Sequence, residues 1–135
     1  MEVGSPSDPQ TWLIRGFVYY DKFTKLDKMS RDAKSRNVAE EAFSKILELV
    51  TAGNFTEKAN KGLYNIAVSY NNEAARSMND KDYHLAGESF DNFRRLMKIA
   101  RPNVDLRAKN IEFYNSLGFI LHATYNSDKK GQAEL

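Results

Sequence analysis

Apolar residues recur along this chain at three- and four-residue steps, the spacing that gathers side chains onto one face of an α-helix. Strand-like alternation does not persist anywhere between the chain's few breakers. Trp12, Gly16, Tyr19 and Phe23 fall four, three and four apart. Asp8 stands before them as a capping residue, and Pro9 occupies the first helical position, where a missing N–H costs nothing. A second helix is predicted from Val38, Ala39, Ala42, Phe43, Ile46, Leu47 and Val50, stopping at Gly53-Asn54. A third begins near Thr56-Glu57, carries Leu63, Ile66, Ala67, Tyr70 and Ala74, and ends around Asn79-Asp80. A fourth carries Tyr83, Ala86, Phe90, Phe93, Leu96 and Ile99 and breaks before Pro102. A fifth, from about Val104, carries Ile111, Tyr114, Leu117, Gly118, Leu121 and Tyr125.

The predicted organisation is a disordered segment over 1–8, a helical domain over 9–126 and a frayed polar tail over 127–135. Within the domain the pattern gives a hairpin at 9–53, a second at 56–101 and a terminal helix at 104–126. Helices in series form either a bundle or a stack of hairpins, and internal repetition separates the two. Trp12, Gly16 and Tyr19 recur 51 residues on as Leu63, Ala67 and Tyr70, and 51 further as Tyr114, Gly118 and Leu121. Ala39, Phe43, Ile46 and Leu49 recur 47 residues on as Ala86, Phe90, Phe93 and Leu96. The two offsets differ by four, so the first hairpin's connection is expected to be longer by one turn's worth of residues.

Trp12, Arg15, Gly16 and Tyr19, then Ala39 and Phe43, resemble the signature of the tetratricopeptide repeat, a tryptophan-leucine-glycine-tyrosine helix followed by an alanine-phenylalanine helix. Leu63, Ile66, Ala67 and Tyr70, then Asp82-Tyr83, Ala86 and Phe90, with Pro102 closing, repeat the resemblance. Tyr114, Leu117, Gly118 and Leu121 give a third first helix without a second. The likeness covers about residues 9 to 126. It departs from the family in length, each repeat being nearer 50 residues than the usual ~34, in Arg15 at an apolar position, and in Leu63 for tryptophan. The fold it implies is all-α, antiparallel hairpins stacked as a short right-handed solenoid of about five helices. Glycine or alanine at 16, 67 and 118 would then mark equivalent close approaches between helices.

The resemblance also implies a site. First helices of such repeats line a concave groove that binds peptides. Carried over, this selects Leu13, Phe17, Tyr20 and Asp21 in helix one, Tyr64, Val68, Asn71 and Asn72 in helix three, and Asn115, Phe119, His122 and Ala123 in helix five. Aromatic side chains offer contact area and asparagines can pair with a peptide backbone on both donor and acceptor sides. Phe17, Val68 and Phe119 have a second reading, packing between neighbouring helices.

Composition narrows the alternatives. The 135 residues are 41% hydrophobic and 28% charged, ordinary for a globular domain. No cysteine is present, which removes disulfides and thiolate metal sites. Twenty basic and eighteen acidic residues leave a formal charge of +2, and the basic-leaning stretch Lys22 to Arg36 is diluted by Asp21, Asp27 and Asp32. It reads as a solvated helical face, with no nucleic acid as partner. His84 and His122 lie on different helices, and no metalloprotease, phosphate-loop or nucleophile-elbow motif occurs. No catalytic residue, metal or cofactor is therefore expected, and Glu40, Glu41 and Glu48 read as a solvated face. No apolar run reaches the ~20 residues of a membrane span. Met1 to Asp8 has neither the basic start nor the apolar core of a signal peptide. The compartment stays open between the cytoplasm and, if a leader has been removed, the periplasm or the exterior.

The expectation is a non-catalytic scaffold that binds a protein or peptide partner in its groove. Two others stand beside it. The apolar stretch 114–125 could pair two copies of the chain as a homodimer, or an inter-helix cavity could carry a small molecule or lipid. An enzymatic role comes last.

Overall fold

A computed structural model describes residues 7–103, and within them the chain forms four α-helices and no strand. They are α1 (Pro9–Asp21), α2 (Lys34–Leu49), α3 (Asn54–Asn79) and α4 (Tyr83–Ala100). The all-helical expectation holds over this span; the fifth helix and its residues lie outside the described residues. The helix ends follow local chemistry. Asp8 accepts a hydrogen bond from the Gln10 N–H at 2.9 Å, with Pro9 at the first position of α1. Asp82 caps α4 through the Leu85 N–H, and α4 stops two residues before Pro102. α3 starts at Asn54, two residues before the predicted Thr56, because Gly53 makes the turn at φ 100°, a conformation costly for any residue with a Cβ.

α1 does not end cleanly. Its last turn widens into a π-helical turn, Lys22–Leu26, in which the buried Phe23 is carried round toward the core. Lys28 and Met29 then take left-handed backbone angles, φ 50° and 57°, before α2 begins. The connection between the π-turn and α2 is seven residues, 27–33, against three, 80–82, between α3 and α4. The four residues by which the repeat offsets differ are accommodated there.

Each helix packs against the next, and α1 also reaches α3. The point where three helices meet is Phe43 of α2. A Cβ added to Gly16 of α1 or to Gly62 of α3 would come within 2.5 Å of its ring, so the phenyl group is held between two glycines. Phe43 is fully buried, and burying such a side chain contributes about 2–3 kcal/mol. Around it Leu13, Ala39, Ile46, Leu63, Ile66, Ala67, Phe93 and Leu96 complete the main core. Gly16 is buried on α1, and Ala67 is buried in the same core as Phe43. Gly62 makes α3's close approach to Phe43, and Phe90 clusters with Ala74 and Ala86 in a second, smaller core.

One expectation about charge is overturned. Arg36, read as part of a solvated basic stretch, is buried at the start of α2. Its guanidinium donates to Glu73 of α3 at 2.7 Å and to Ser69 at 3.4 Å. It lies over the rings of Tyr70, 3.8 Å away, and Phe23, 5.0 Å away. A buried charge persists only where it is paired, and here an acid and two aromatic faces replace water.

Candidate functional site

Five of the seven large hydrophobic side chains exposed among the described residues come from one short stretch. They are Ile14 (50% exposed), Phe17 (41%), Val18 (57%), Leu26 (75%) and Met29 (40%). Their origin is helical geometry. α1 turns Leu13 and Gly16 inward against α2 and α3, which leaves Ile14 and Val18 facing outward and Phe17 at the margin of the core. The π-turn and the left-handed residues then present Leu26 and Met29. Phe17 is anchored at its base, its ring standing edge-on to Phe43 with centroids 5.2 Å apart. Isolated exposed hydrophobics are ordinary; five within sixteen residues are a concentration of apolar surface in one segment.

The polar groups around this face are ordered. Arg15 projects outward and lays its guanidinium over the Tyr19 ring at 4.9 Å, which accommodates a charged residue where the repeat signature has an apolar one. Asp21 pairs with Lys25 at 3.1 Å along the surface. Tyr20 is half-buried beside Phe23, with ring centroids 6.4 Å apart, and burial raises its hydroxyl pKa.

The residues selected through the resemblance divide accordingly. Phe17 and Asp21 lie on the exposed side of α1, and Tyr20 lies at its margin. Leu13 does not: it is buried in the main core, because it projects about 100° round the helix from Ile14, toward α2 and α3. On α3, Tyr64 is exposed with the Arg101 guanidinium 4.8 Å above its ring, Val68 and Asn71 are half-buried, and Asn72 is exposed. Asn115, Phe119, His122 and Ala123, with the self-association stretch 114–125, lie outside the described residues. Sequence reasoning missed Ile14, Val18, Leu26 and Met29. The signal was present, since Trp12 through Tyr20 is apolar on every side of the helix except at Arg15, and one side of such a helix must face outward at the edge of a fold.

A second surface runs between α2 and α4 and differs in character. It holds two open depressions, of about 600 and 480 Å3. Asn37, Tyr70 and Asn92 border both. Glu40, Glu41, Lys45 and Glu48 line the first, and Arg31, Asp32, Asp82 and His84 the second. Glu40 is bound by both Nη atoms of Arg95 at 2.9 and 3.0 Å, which raises the Arg95 pKa and ties α2 to α4. Tyr70, at the floor, has its hydroxyl pKa raised chiefly by burial. Glu73 is held by Arg36, so the two most enclosed carboxylates of this surface, Glu40 and Glu73, are both neutralised by arginine. No group of three or more potential metal-binding side chains occurs among the described residues, and no described helix is long and apolar enough to cross a membrane.

Comparison with known proteins returns no matching family, curated relative or solved structure.

Proposed function

We propose that this protein is a non-catalytic scaffold, a short stack of helical hairpins of tetratricopeptide type, which recruits another protein through the outer side of α1 and the neighbouring α3. The observation that carries this reading is the concentration of five exposed hydrophobic side chains between residues 14 and 29. Exposed apolar area of this kind is a cost unless a partner removes it from water, at about 25 cal/mol per Å2 of apolar surface covered. The helix contacts, α1 with α2, α2 with α3, α1 with α3 and α3 with α4, fit a hairpin stack as they fit a bundle. Tyr64, Asn71 and Asn72 supply aromatic and amide groups on the second of the two first helices.

A carrier role finds less support, because the two depressions are open and bordered by charged side chains, whereas ligand cavities are mainly apolar and enclosing.

Comparative affinity capture tests the proposal. Val18→Asp places a charge on the apolar face without touching the core, and Glu41→Lys does the same on the α2–α4 surface. Proteins retained by the wild type and by Glu41→Lys, and lost with Val18→Asp, are the expected result. Equal retention by all three, with circular dichroism showing the variants folded, rules the α1 face out.

A further inference from the structure

Accepting α1 as the docking side leaves the partner's chemistry open, and the charges flanking the apolar stripe supply it. Between residues 14 and 29 stand four basic residues, Arg15, Lys22, Lys25 and Lys28, and two acids, Asp21 and Asp27. That gives the segment beside the apolar stripe a net excess of two positive charges. Both acids are engaged. Asp21 pairs with Lys25, and Asp27 accepts a hydrogen bond from Ser35. Among the described residues no carboxylate pairs with Arg15, Lys22 or Lys28, and all three side chains are exposed.

We infer that the partner presents an amphipathic helix, apolar at i, i+3 or i+4 and i+7 and acidic along its flanks, which lies along α1. A helix surface with apolar residues at Ile14, Phe17 and Val18 offers ridges and grooves that accept a second helix. The lysines and arginine beside it match carboxylates at the rim, where charge complementarity sets partner choice and association rate. An anionic membrane shares part of this chemistry, but Asp21 speaks against it. That carboxylate follows Phe17 by four residues and Val18 by three, lies on the apolar stripe and is 62% exposed. Pressed into an anionic bilayer surface it would be repelled by like charge, while a peptide can set a basic or amide group against it.

The inference rests on the proposed docking face, and one experiment separates their failures. The full chain is used to select from a displayed library of 18-residue helical peptides with fixed apolar spacing and randomised polar positions. Binding of the winners is read by fluorescence anisotropy, and vesicles of phosphatidylserine and phosphatidylcholine are assayed in parallel by sedimentation. The expected result is enrichment of net-acidic peptides. Their affinity falls at least tenfold with Val18→Asp, falls about tenfold with the Lys22→Glu/Lys28→Glu pair and weakens with added salt. Neutral or basic winners that Val18→Asp still disrupts overturn the acidic helix but keep the docking face. So do acidic winners indifferent to Lys22→Glu/Lys28→Glu. Absence of any winner sensitive to Val18→Asp overturns both. Sedimentation with the vesicles that Val18→Asp abolishes, without acidic winners, replaces the peptide by a lipid surface.

Discussion

Phe43 decides how closely three helices can approach, and its environment sets two opposing effects against each other. Replacing Gly62 by alanine inside a helix normally gains up to about 1 kcal/mol of propensity. Here the new methyl would press on a ring that cannot swing aside, since Gly16 confines its other side, and overpacking of this kind costs about 1–3 kcal/mol. Gly62→Ala is therefore expected to destabilise the protein. In a Phe43→Leu background, where the ring is gone, the same change should become neutral or stabilising. Urea denaturation of the four proteins checks this; an equal cost in both backgrounds means the ring is not what the glycine accommodates.

Arg36 and Glu73 make the second residue-scale case, with side chains only 5% and 6% exposed. Arg36 Nε and Glu73 Oε1 have no protein partner although both are buried, so the pair is geometrically sound yet incompletely satisfied. Removing one member with Glu73→Ala leaves an uncompensated buried charge and should cost about 3–5 kcal/mol, whereas replacing both by apolar residues, Arg36→Met with Glu73→Leu, should cost much less. The Glu40–Arg95 pair, nearer the surface, gives a contrast: Glu40→Ala is expected to lose no more than about 1 kcal/mol despite two hydrogen bonds. Tyr70 adds a pH dependence. Its pKa is raised above the usual 10.0, chiefly by burial, so the unfolded chain releases that proton first. The contribution is fully present below pH 10.0 and is lost as the pH rises through the higher folded value. The urea midpoint should fall over that range, and Tyr70→Phe should flatten the fall. An unchanged slope in the variant would place the effect elsewhere.

At the scale of elements, ends were easier to read than interiors. Asp8-Pro9, Asp82 and Pro102 act through their own side chains and rings, so the start of α1 and the limits of α4 could be predicted from a few neighbouring residues. The π-turn could not, because the residues around it continue a helical pattern, and the Arg36 guanidinium over the Phe23 ring comes from a separate helix. Arg36 itself was misread for the same reason: nothing local distinguishes a solvated arginine from one awaiting Glu73. The face of α1 was legible as apolar but not as exposed, since apolar residues surround the helix and only packing shows which side is left over. The α3–α4 turn carries a prediction of its own. Lys81 sits at φ 62°, with its N–H bonded to the Met78 carbonyl and the Asp82 N–H bonded to the Ser77 carbonyl. This is a Schellman cap, which glycine fits best. Lys81→Gly should relieve left-handed strain of about 1–2 kcal/mol at some cost in chain entropy, for a net gain near 0.5–1 kcal/mol in thermal unfolding. A loss of stability would show that the lysine side chain contributes more than its backbone strain removes.

For the whole molecule, the two long surfaces divide the work. Between α2 and α4 the charges neutralise one another and tie helices together. Along α1 the side chains of Ile14, Phe17 and Val18 are exposed, and no described carboxylate pairs with Arg15, Lys22 or Lys28. The proposed docking role calls for this division, because the surface that holds the fold should not also have to rearrange when a partner arrives. Amide hydrogen exchange with and without a captured partner measures this most directly. Binding is expected to slow exchange over residues 12–29, with secondary effects in α3 around Tyr64, and to leave residues 37–48 and 84–95 unchanged. Protection confined to those α2 and α4 segments, with α1 exchanging as in the free protein, would contradict it.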